Sequence, residues 1–459
     1  MIGLSAGLEI ARKALSTYQL AISVYGNNIA NVDTPGFSRR RPRLGESEAV
    51  ELSLGRIGLG VSTATIRRMR DVFLDVSYRN ANASYGRFQA MEQTLSEVEM
   101  AFAEPSDTSL GSILQEFWDS WQELANEPES STAREMVIGK ANSLCDAFRR
   151  INTNLVQVRQ NIDDEVARQV DVINSLASRI AALNKQIVRA ECSGNEASDL
   201  RDKRDELLDE LSEIVDIRTF ESADGTVSVK IGTEALVERG NTVLLRVSER
   251  ADRDMVVHDI VLGNGDHAIR LTGGKLAGLI ESRDVTIPEY LDRLNYMART
   301  LVEKINELHR SGYGLDGTTG IDFFDPDGIT AATISVAHDI VNDSRLIAAS
   351  TDGTPGNADN ALAIAGLRLE AIFGSEGATA EEYYSAIVGD VGIESSRAAA
   401  QREAQELLVN EIENRRESVK GVSLDEEMTN LVASQHAYQA AAKLVSVIDN
   451  LMGVVMELL

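Results

Sequence analysis

Apolar residues recur at both ends of the chain with the spacing of a single helix face. They lie four and three residues apart from Leu4 to Ile29, and again from Leu424 to Leu459, where Asp449 interrupts the row. This spacing is typical of a coiled-coil seam, so we predict a long helix at each end. The N-terminal seam comprises Leu8, Leu15, Tyr18, Ile22, Tyr25 and Ile29, and the C-terminal seam comprises Leu431, Tyr438, Ala442, Val445, Met452 and Leu459.

The free energy of these helices favours pairing. Burying the apolar row from Leu8 to Ile29 contributes about 10 to 15 kcal/mol, at about 1.5 to 3 kcal/mol for each large side chain. Fixing the backbone costs about 1 to 2 kcal/mol for every residue, which is more in total. We therefore expect the terminal helices to pair with each other and with neighbouring copies. The alternative is that the N-terminal row docks only on its own domain.

A helix-ending turn follows the first seam. Asparagine tolerates left-handed backbone, proline disfavours a helical residue before it, and glycine turns freely. The stretch GNNIANVDTPGF resembles the N-terminal signature of the axial proteins of the bacterial flagellum, which include rod, hook and hook-associated proteins. We give the name signature turn to residues Asn27, Asn28, Asn31, Thr34, Pro35 and Gly36.

The first third of the interior begins with a segment that has no helical period. Residues 37–70 contain several glycines, so we expect an extended connector there. Two amphipathic helices should follow, one from Phe73 to the Glu104-Pro105 pair and one from Leu110 to Leu124. The second carries two tryptophans, which at this spacing we assign to the core rather than to a ligand site.

The middle of the chain predicts a helical hairpin. Thr132 and Glu135 form the pattern of a capping box, which should open the longest helix of the interior. A break at Cys192 ends that helix, and the chain should return along residues 198–215 as an antiparallel partner.

Short apolar runs replace the helical period after Val215. Turn pairs such as Asp224-Gly225 separate them, which predicts an antiparallel β subdomain. Helical spacing resumes from Ile287 to His309, and a capping box of Thr379 and Glu382 opens a last interior helix that should lie against the others. The predicted fold is mainly α with a smaller β part: paired terminal coiled-coil helices, a long-helix bundle domain and an inserted antiparallel β subdomain.

We divide the chain into five predicted parts. They are a terminal coiled-coil domain, 1–36 plus 422–459; an extended connector, 37–70; a helical bundle domain, 71–215 plus 276–325 and 379–421; a β subdomain, 216–275; and a mixed loop and β lobe, 326–378.

Further segments resemble one branch of the flagellar axial family. The motif LRDKRDELLDEL and the segments GGKLAGLIESRD and IPEYLDRLNYMARTLVEKINELHRSGYGLDGTTGIDFFD are similar to those of the hook–filament junction proteins. The stretch around Gln435 to Gln439 is similar to the C-terminal signature of the axial family. The resemblance implies a structural subunit that joins the hook to the filament and self-assembles through its terminal helices.

The same resemblance implies partners and a location. The partners would be other copies of the chain, the hook protein, the next hook-associated protein and a cytoplasmic export chaperone that grips the C-terminal helix. The chain would leave the cytoplasm uncleaved through the type III export channel of the flagellum and reside outside the cell. No cleavable signal sequence and no apolar run near the ~20 residues of a membrane span is visible, so we expect no membrane insertion.

Charge and cysteine content exclude other classes of partner. A formal net charge of −27 and a pI near 4.6 argue against nucleic acid. The local basic run at Arg39, Arg40, Arg41 and Arg43 is expected to meet an acidic neighbour. Cys145 and Cys192 lie far apart and form no metal-binding pattern, so no zinc site is indicated, while their pairing stays open.

One group of carboxylates suggests a chemical role. Asp202, Asp205 and Asp209 share a helix face and offer ligands for a divalent metal. Interleaved Arg201, Lys203 and Arg204 favour instead a solvated, ion-paired face.

We find no other constellation with a chemical role. The glycines of GYGLDG satisfy the GxGxxG pattern but follow a predicted helix rather than a strand, which excludes a dinucleotide fingerprint. The five histidines are scattered, and no nucleophile motif accompanies them. We expect no catalytic residue, no cofactor and no metal. The alternatives are a hook or rod protein or a flagellin and, in a different class, a secreted flagellum-associated enzyme or an adhesin.

Overall fold

Long helices carry most of the fold, which a computed structural model describes for residues 2–47, 49–52, 55–102, 106, 108–192, 194–253, 255–263, 265, 268–374 and 377–457. The predicted class, mainly α with a smaller β part, is confirmed. The helices are α1 Ile2–Ala30, α2 Val72–Phe102, α3 Leu110–Asn126, α4 Ser131–Glu191, α5 Ser198–Ile214, α6 Lys275–Glu281, α7 Ile287–Ser311, α8 His338–Asn342, α9 Asp359–Gly366, α10 Ala380–Lys420 and α11 Leu424–Glu457. The strands are β1 Arg40–Glu46, β2 Ala49–Leu52, β3 Gly55–Gly58, β4 Val61–Arg68, β5 Ile217–Glu221, β6 Val227–Ile231, β7 Glu234–Glu238, β8 Asn241–Thr242, β9 Leu245–Asp252 and β10 Met255–Leu262.

The connector at 37–70 folds back on itself as a hairpin. Strand β1 pairs with β4 in antiparallel register, and β2 pairs with β3 beyond them. Both β1 and β4 pack against α1. The connector therefore stays beside the first helix and leads the chain back to the start of α2.

A helical body follows the hairpin. Its longest member, α4, has 61 residues, about 90 Å at a rise of 1.5 Å per residue. Helix α5 returns along it as the predicted antiparallel hairpin, and α10 packs along α2. The predicted end of α2 at Glu104-Pro105 lies outside the described residues.

Of the capping boxes predicted for α4 and α10, the structure contains the one in α10. The capping box of α10 is present: Glu382 N donates to Thr379 Oγ1 at 3.2 Å, and Thr379 N donates to Glu382 Oε2 at 2.9 Å. The box predicted at Thr132 for α4 is wrong. Ser130 is the N-cap instead and accepts a hydrogen bond from Ala133 N, because the helix already begins at residue 131.

Aromatic residues of α3 fill the centre of the body. Trp118 and Trp121 are fully buried, and Trp121 packs edge to face on Phe323 at 5.1 Å between ring centroids. Both tryptophans therefore belong to the core, as predicted. His309 lies beside them, donates from Nδ1 to Ile321 O and accepts at Nε2 from Ala348 N. Burial lowers the pKa of His309 to about 4, so it is a neutral bridge within the core.

The β part consists of two antiparallel units. The strands β5 to β8 form one sheet in chain order, and β9 pairs with β10 as a hairpin against α4. All six strands fall within the β subdomain predicted at 216–275. The division of the chain into domains stays a prediction.

Glycine residues allow the backbone of α2 to pass close to the backbones of α5 and α6. A Cβ on Gly86 would lie 2.2 Å from Glu213 O, at the end of α5, and a Cβ on Gly278 of α6 would lie 2.4 Å from Arg87 O. Gly274 N also donates to Ala83 O at 2.8 Å. Only a residue without a side chain permits these approaches.

We predict that Gly86→Ala destabilises the chain by about 1 to 3 kcal/mol, because the new methyl group must push α5 away from α2. The matched control is Gly389→Ala in α10. Gly389 is exposed, and a Cβ added there would have no other atom within 4 Å, so alanine should stabilise by about 0.4 to 1 kcal/mol. Urea unfolding of both variants measures the difference. Equal stability of the two variants would contradict the close crossing.

Candidate assembly site at the terminal helices

The two ends of the chain meet as an antiparallel helix pair. Asn28 of α1 donates to Glu427 of α11 at 2.8 Å, and a Cβ on Gly7 would lie 3.1 Å from Ile448 Cδ1. Each helix advances by three heptads between these two contacts. The pairing therefore keeps one heptad register along its length.

Mainly small residues form the line of closest contact, which ends at the buried Ile448. The register sets Ala21 opposite Ser434 and places Ala441 near the same seam one heptad further on, and all three are buried. Their small side chains allow the two helices to approach closely. Large apolar residues defined the predicted seams, so this line was not predicted, although small residues recur at seven-residue spacing in the sequence.

The predicted seam residues lie beside this line and are incompletely covered. Half-buried members are Leu15, Tyr18, Ile22, Tyr25 and Ile29 on α1 and Leu431, Tyr438 and Val445 on α11. Exposed members are Leu8, Ala442 and Met452. Leu459 lies outside the described residues. The structure brings the two seams to one helix pair, and their role in assembly stays a prediction.

A second apolar row on α11 is only about half covered within the described chain. Leu444, Val447, Leu451 and Val454 follow one helix face and are 41 to 54% exposed. Residues 380–456 include an 18-residue window with a mean hydropathy of 1.2, of which only 11% is buried. By length and composition alone this segment is able to cross a membrane, contrary to the expectation that no such run exists. It gives the isolated chain a large apolar surface.

Asn28 of the signature turn fixes the junction between three elements. Its Nδ2 donates to Arg40 O and to Glu427 Oε2, each at 2.8 Å, and its Oδ1 accepts from Arg40 N at 3.0 Å. Glu427 is fully buried and also accepts from Arg39 Nε at 2.7 Å. Arg39 reaches Glu426 at 2.6 Å as well. For Arg39 the expected acidic neighbour is therefore in the same chain.

The rest of the signature turn ends α1 and faces α5. Asn31 N and Nδ2 both donate to Asn27 O, and Thr34 Oγ1 donates to Asn31 Oδ1. Gly36 has a φ of 74°, which favours glycine, while Pro35 before it is exposed. Two residues later the backbone N–H of Ser38 donates to Asp202 of α5. The chain that leaves the turn therefore contacts the carboxylate row of Asp202, Asp205 and Asp209.

Arginines from three other elements cover that carboxylate row. Asp202 and Asp205 both contact Arg68 of β4, at 2.9 and 2.8 Å. Asp209 contacts Arg79 of α2 at 2.7 Å and Arg416 of α10 at 2.6 Å. The ion-paired interpretation is confirmed.

The expectation of a solvated face is wrong. Asp202 and Asp205 are buried because the hairpin lies over them. Among the described residues no group of three or more metal-binding side chains is arranged around a common point.

The charge of Asp205 is essential to this cluster. Burial opposes its ionisation, but the positive charges of Arg70, Arg68 and Arg79 outweigh burial and lower the pKa of Asp205 to about 2. A carboxyl whose pKa is lower in the folded chain stabilises the fold above its unfolded pKa of about 3.9. That contribution is lost as the pH falls from about 4 through about 2.

We predict that Asp205→Asn lowers the free energy of unfolding at pH 7 by about 3 to 5 kcal/mol, because it leaves buried arginines without their shared counter-ion. The variant should also lose less stability than the wild type between pH 4 and pH 2. Asp199→Asn is the control, since Asp199 is exposed on the same helix. Urea unfolding across this pH range tests both statements, and a change below about 0.5 kcal/mol at pH 7 would refute the first.

Known families match the chain in three segments. Residues 95–324 match the family described as flagellar hook-associated protein FlgK helical domain. Residues 8–37 match flagella basal body rod protein, and residues 418–458 match flagellar basal body rod FlgEFG protein C-terminal. The last two segments coincide with α1 and its signature turn and with α11, so the matched ends are the paired ends.

Whole proteins agree with these segments. The chain is 35% identical to flagellar hook-associated protein 1 of Bacillus subtilis over 97% of this chain and 96% of that protein. It is 23% identical to the protein of the same name from Escherichia coli, over 96% and 97%. A flagellar hook junction protein from Burkholderia pseudomallei has a similar fold, with a TM-score of 0.67 at 15% identity, over 75% of this chain and all of that one.

Proposed function

The chain belongs to the flagellar hook-associated protein 1 family, and on this premise we propose that it is a structural subunit that joins the flagellar hook to the filament. The observation that carries the proposal is the terminal helix pair. Its closest contact uses mainly small residues, and apart from Val24 and Ile448 the large apolar residues of both helices stay half-buried or exposed. Such a pair has free energy left to gain from contacts with further helices.

We propose that neighbouring copies supply those contacts. Because the row on α11 is about half exposed, covering it would contribute about 0.7 to 1.5 kcal/mol for each large side chain, half of the value for full burial. The seams of α1 and α11 would be completed in the same step, so assembly would order the helix ends. The hook protein and the next hook-associated protein would meet the two open ends of the layer that these copies form.

We further propose that the chain has no catalytic role. The carboxylates that most resemble a reactive group, those of Asp202, Asp205 and Asp209, are held in ion pairs with arginine. The buried histidine, His309, is engaged by backbone groups on both nitrogens. These contacts support a structural role over that of a secreted enzyme.

Export before assembly forms the last part of the proposal. The chain would leave the cytoplasm uncleaved through the type III channel of the flagellum and function outside the cell. A cytoplasmic chaperone would grip α11 beforehand, because its exposed apolar row would otherwise associate too early.

Deletion of the gene tests the function directly. We predict bare hooks by electron microscopy and flagellin released into the medium as monomer, because the filament would lack its attachment layer. Restoration by a plasmid copy is the control. Missing hooks would assign the chain to the rod or hook, and normal filaments would favour an adhesin or enzyme.

Substitution on α11 tests the assembly surface. We predict that Leu451→Glu and Met452→Glu leave the unfolding free energy within about 0.5 kcal/mol of the wild type, because both side chains are exposed. The same changes should abolish filament attachment in the deletion strain, because they place charge where copies would meet. Leu369→Glu is the control, since Leu369 is 82% exposed outside the terminal helices.

Filament attachment at the wild-type level by the α11 variants would contradict the assembly surface. Flotation of the purified wild-type chain with lipid vesicles tests the alternative that the apolar window within residues 380–456 inserts into a membrane. Our proposal predicts that the chain stays in the unbound fraction.

A further inference from the structure

The hairpin between α1 and α2 carries a net positive charge, although the chain as a whole is acidic. Residues 39–70 contain eight arginines and three glutamates, a net charge of +5, whereas the whole chain carries −27. Arg39, Arg68 and Arg70 are used inside the chain, in ion pairs with carboxylates of α11, α5 and α2. The remaining arginines of β1 and β4 need a separate explanation.

Three of them share the outer face of the hairpin. Arg41 is the direct cross-strand partner of Arg67 in the β1–β4 register, and Arg43 lies two residues along on the same face. All three are exposed, and none makes an ion pair within the part of the chain that the structure describes. Like charges directly opposite each other destabilise a sheet. We call Arg41, Arg43 and Arg67 the arginine face.

We propose that the arginine face binds carboxylates on α5 of a neighbouring copy in the assembly. This inference rests on the proposed function, because it requires copies packed side by side. The acceptors are Glu206 and Glu210, which are exposed on one helix face and make no ion pair among the described residues, although Lys203 precedes them on that face. Asp199, on the same face, lines a cleft with Arg67 of its own copy.

The two faces lie close to each other within one copy. Strand β4 and helix α5 touch through Arg68 and Asp202, so the hairpin and α5 lie at the same level of the molecule. Copies related by rotation about a common axis place the same levels side by side. A contact between two different faces repeats from copy to copy, as a ring or helical tube requires.

Electrostatics defines what this contact does. Exposed ion pairs contribute little free energy individually and are weakened by salt. Complementary charge chiefly selects the partner and its orientation. The arginine face would therefore set how neighbouring copies are turned relative to each other, while the apolar rows of the terminal helices hold them together.

The decisive variant is Arg41→Glu combined with Arg43→Glu. It places a carboxylate opposite Arg67, which offsets the loss of the favourable charge that Arg41 presents to Glu426, so the purified monomer should melt at about the wild-type temperature. In the deletion strain the same variant should reduce the fraction of hooks that carry filaments at least fivefold. A structural role within one copy would instead lower the melting temperature. The control is Arg218→Glu, because Arg218 also lies exposed opposite a lysine, Lys230, across β5 and β6.

Charge exchange tests the acceptor. Glu206→Arg with Glu210→Arg should also reduce the filament-bearing fraction, and combining all four substitutions should restore it to at least half of the wild-type value. Wild-type attachment by the arginine variant would overturn the inference, as would failure of the combined variant when its monomer is folded. Neither outcome contradicts the proposed function if the deletion strain still releases flagellin. Normal filaments in the deletion strain would contradict both the proposed function and this inference.

Discussion

A buried carboxylate at the start of the last helix constrains how the whole chain is arranged. Glu427 has no exposed surface and is stabilised by Asn28 and Arg39, which lie 399 and 388 residues away in sequence. An unpaired buried charge would cost several kcal/mol, so the helices cannot slide past each other without breaking these bonds. Because the small residues recur every seven positions, a slip by one heptad would preserve much of their packing. The polar junction is what selects one register.

A second ionic layer connects this junction to the helical body. The hairpin begins next to Arg39 and ends at Arg68, which binds Asp202 and Asp205 of α5. Arg416 near the end of α10 binds Asp209 of the same row. Both segments that connect the helical body to the terminal helices therefore form ion pairs with α5. Charged contacts of this kind favour one geometry, because each arginine must meet its own carboxylate to compensate for its loss of water.

The sequence predicted the helices well because their signals are local. Periodic apolar residues located both terminal helices, and the capping box of Thr379 and Glu382 marked the start of α10 correctly. Burial of the carboxylate row was not predictable in this way, since Asp205 meets Arg68 across 137 residues of sequence. The close line between α1 and α11 was missed for another reason. Gly7 and Ala21 carry too little apolar surface to register as a seam, although small size is what lets helices approach closely.

The residues of the contact between α1 and α11 bear on the proposed assembly of the folded chain. If the large apolar residues of α1 and α11 formed the line of closest contact, their surface would already be buried in the free chain. Little free energy would then remain for contacts between copies. Using small residues and one polar junction for the internal contact leaves the apolar surface available. The net charge of −27 opposes the approach of copies in arbitrary orientations. We therefore propose that association is favoured chiefly where apolar rows meet, with the charge on each facing surface selecting the orientation.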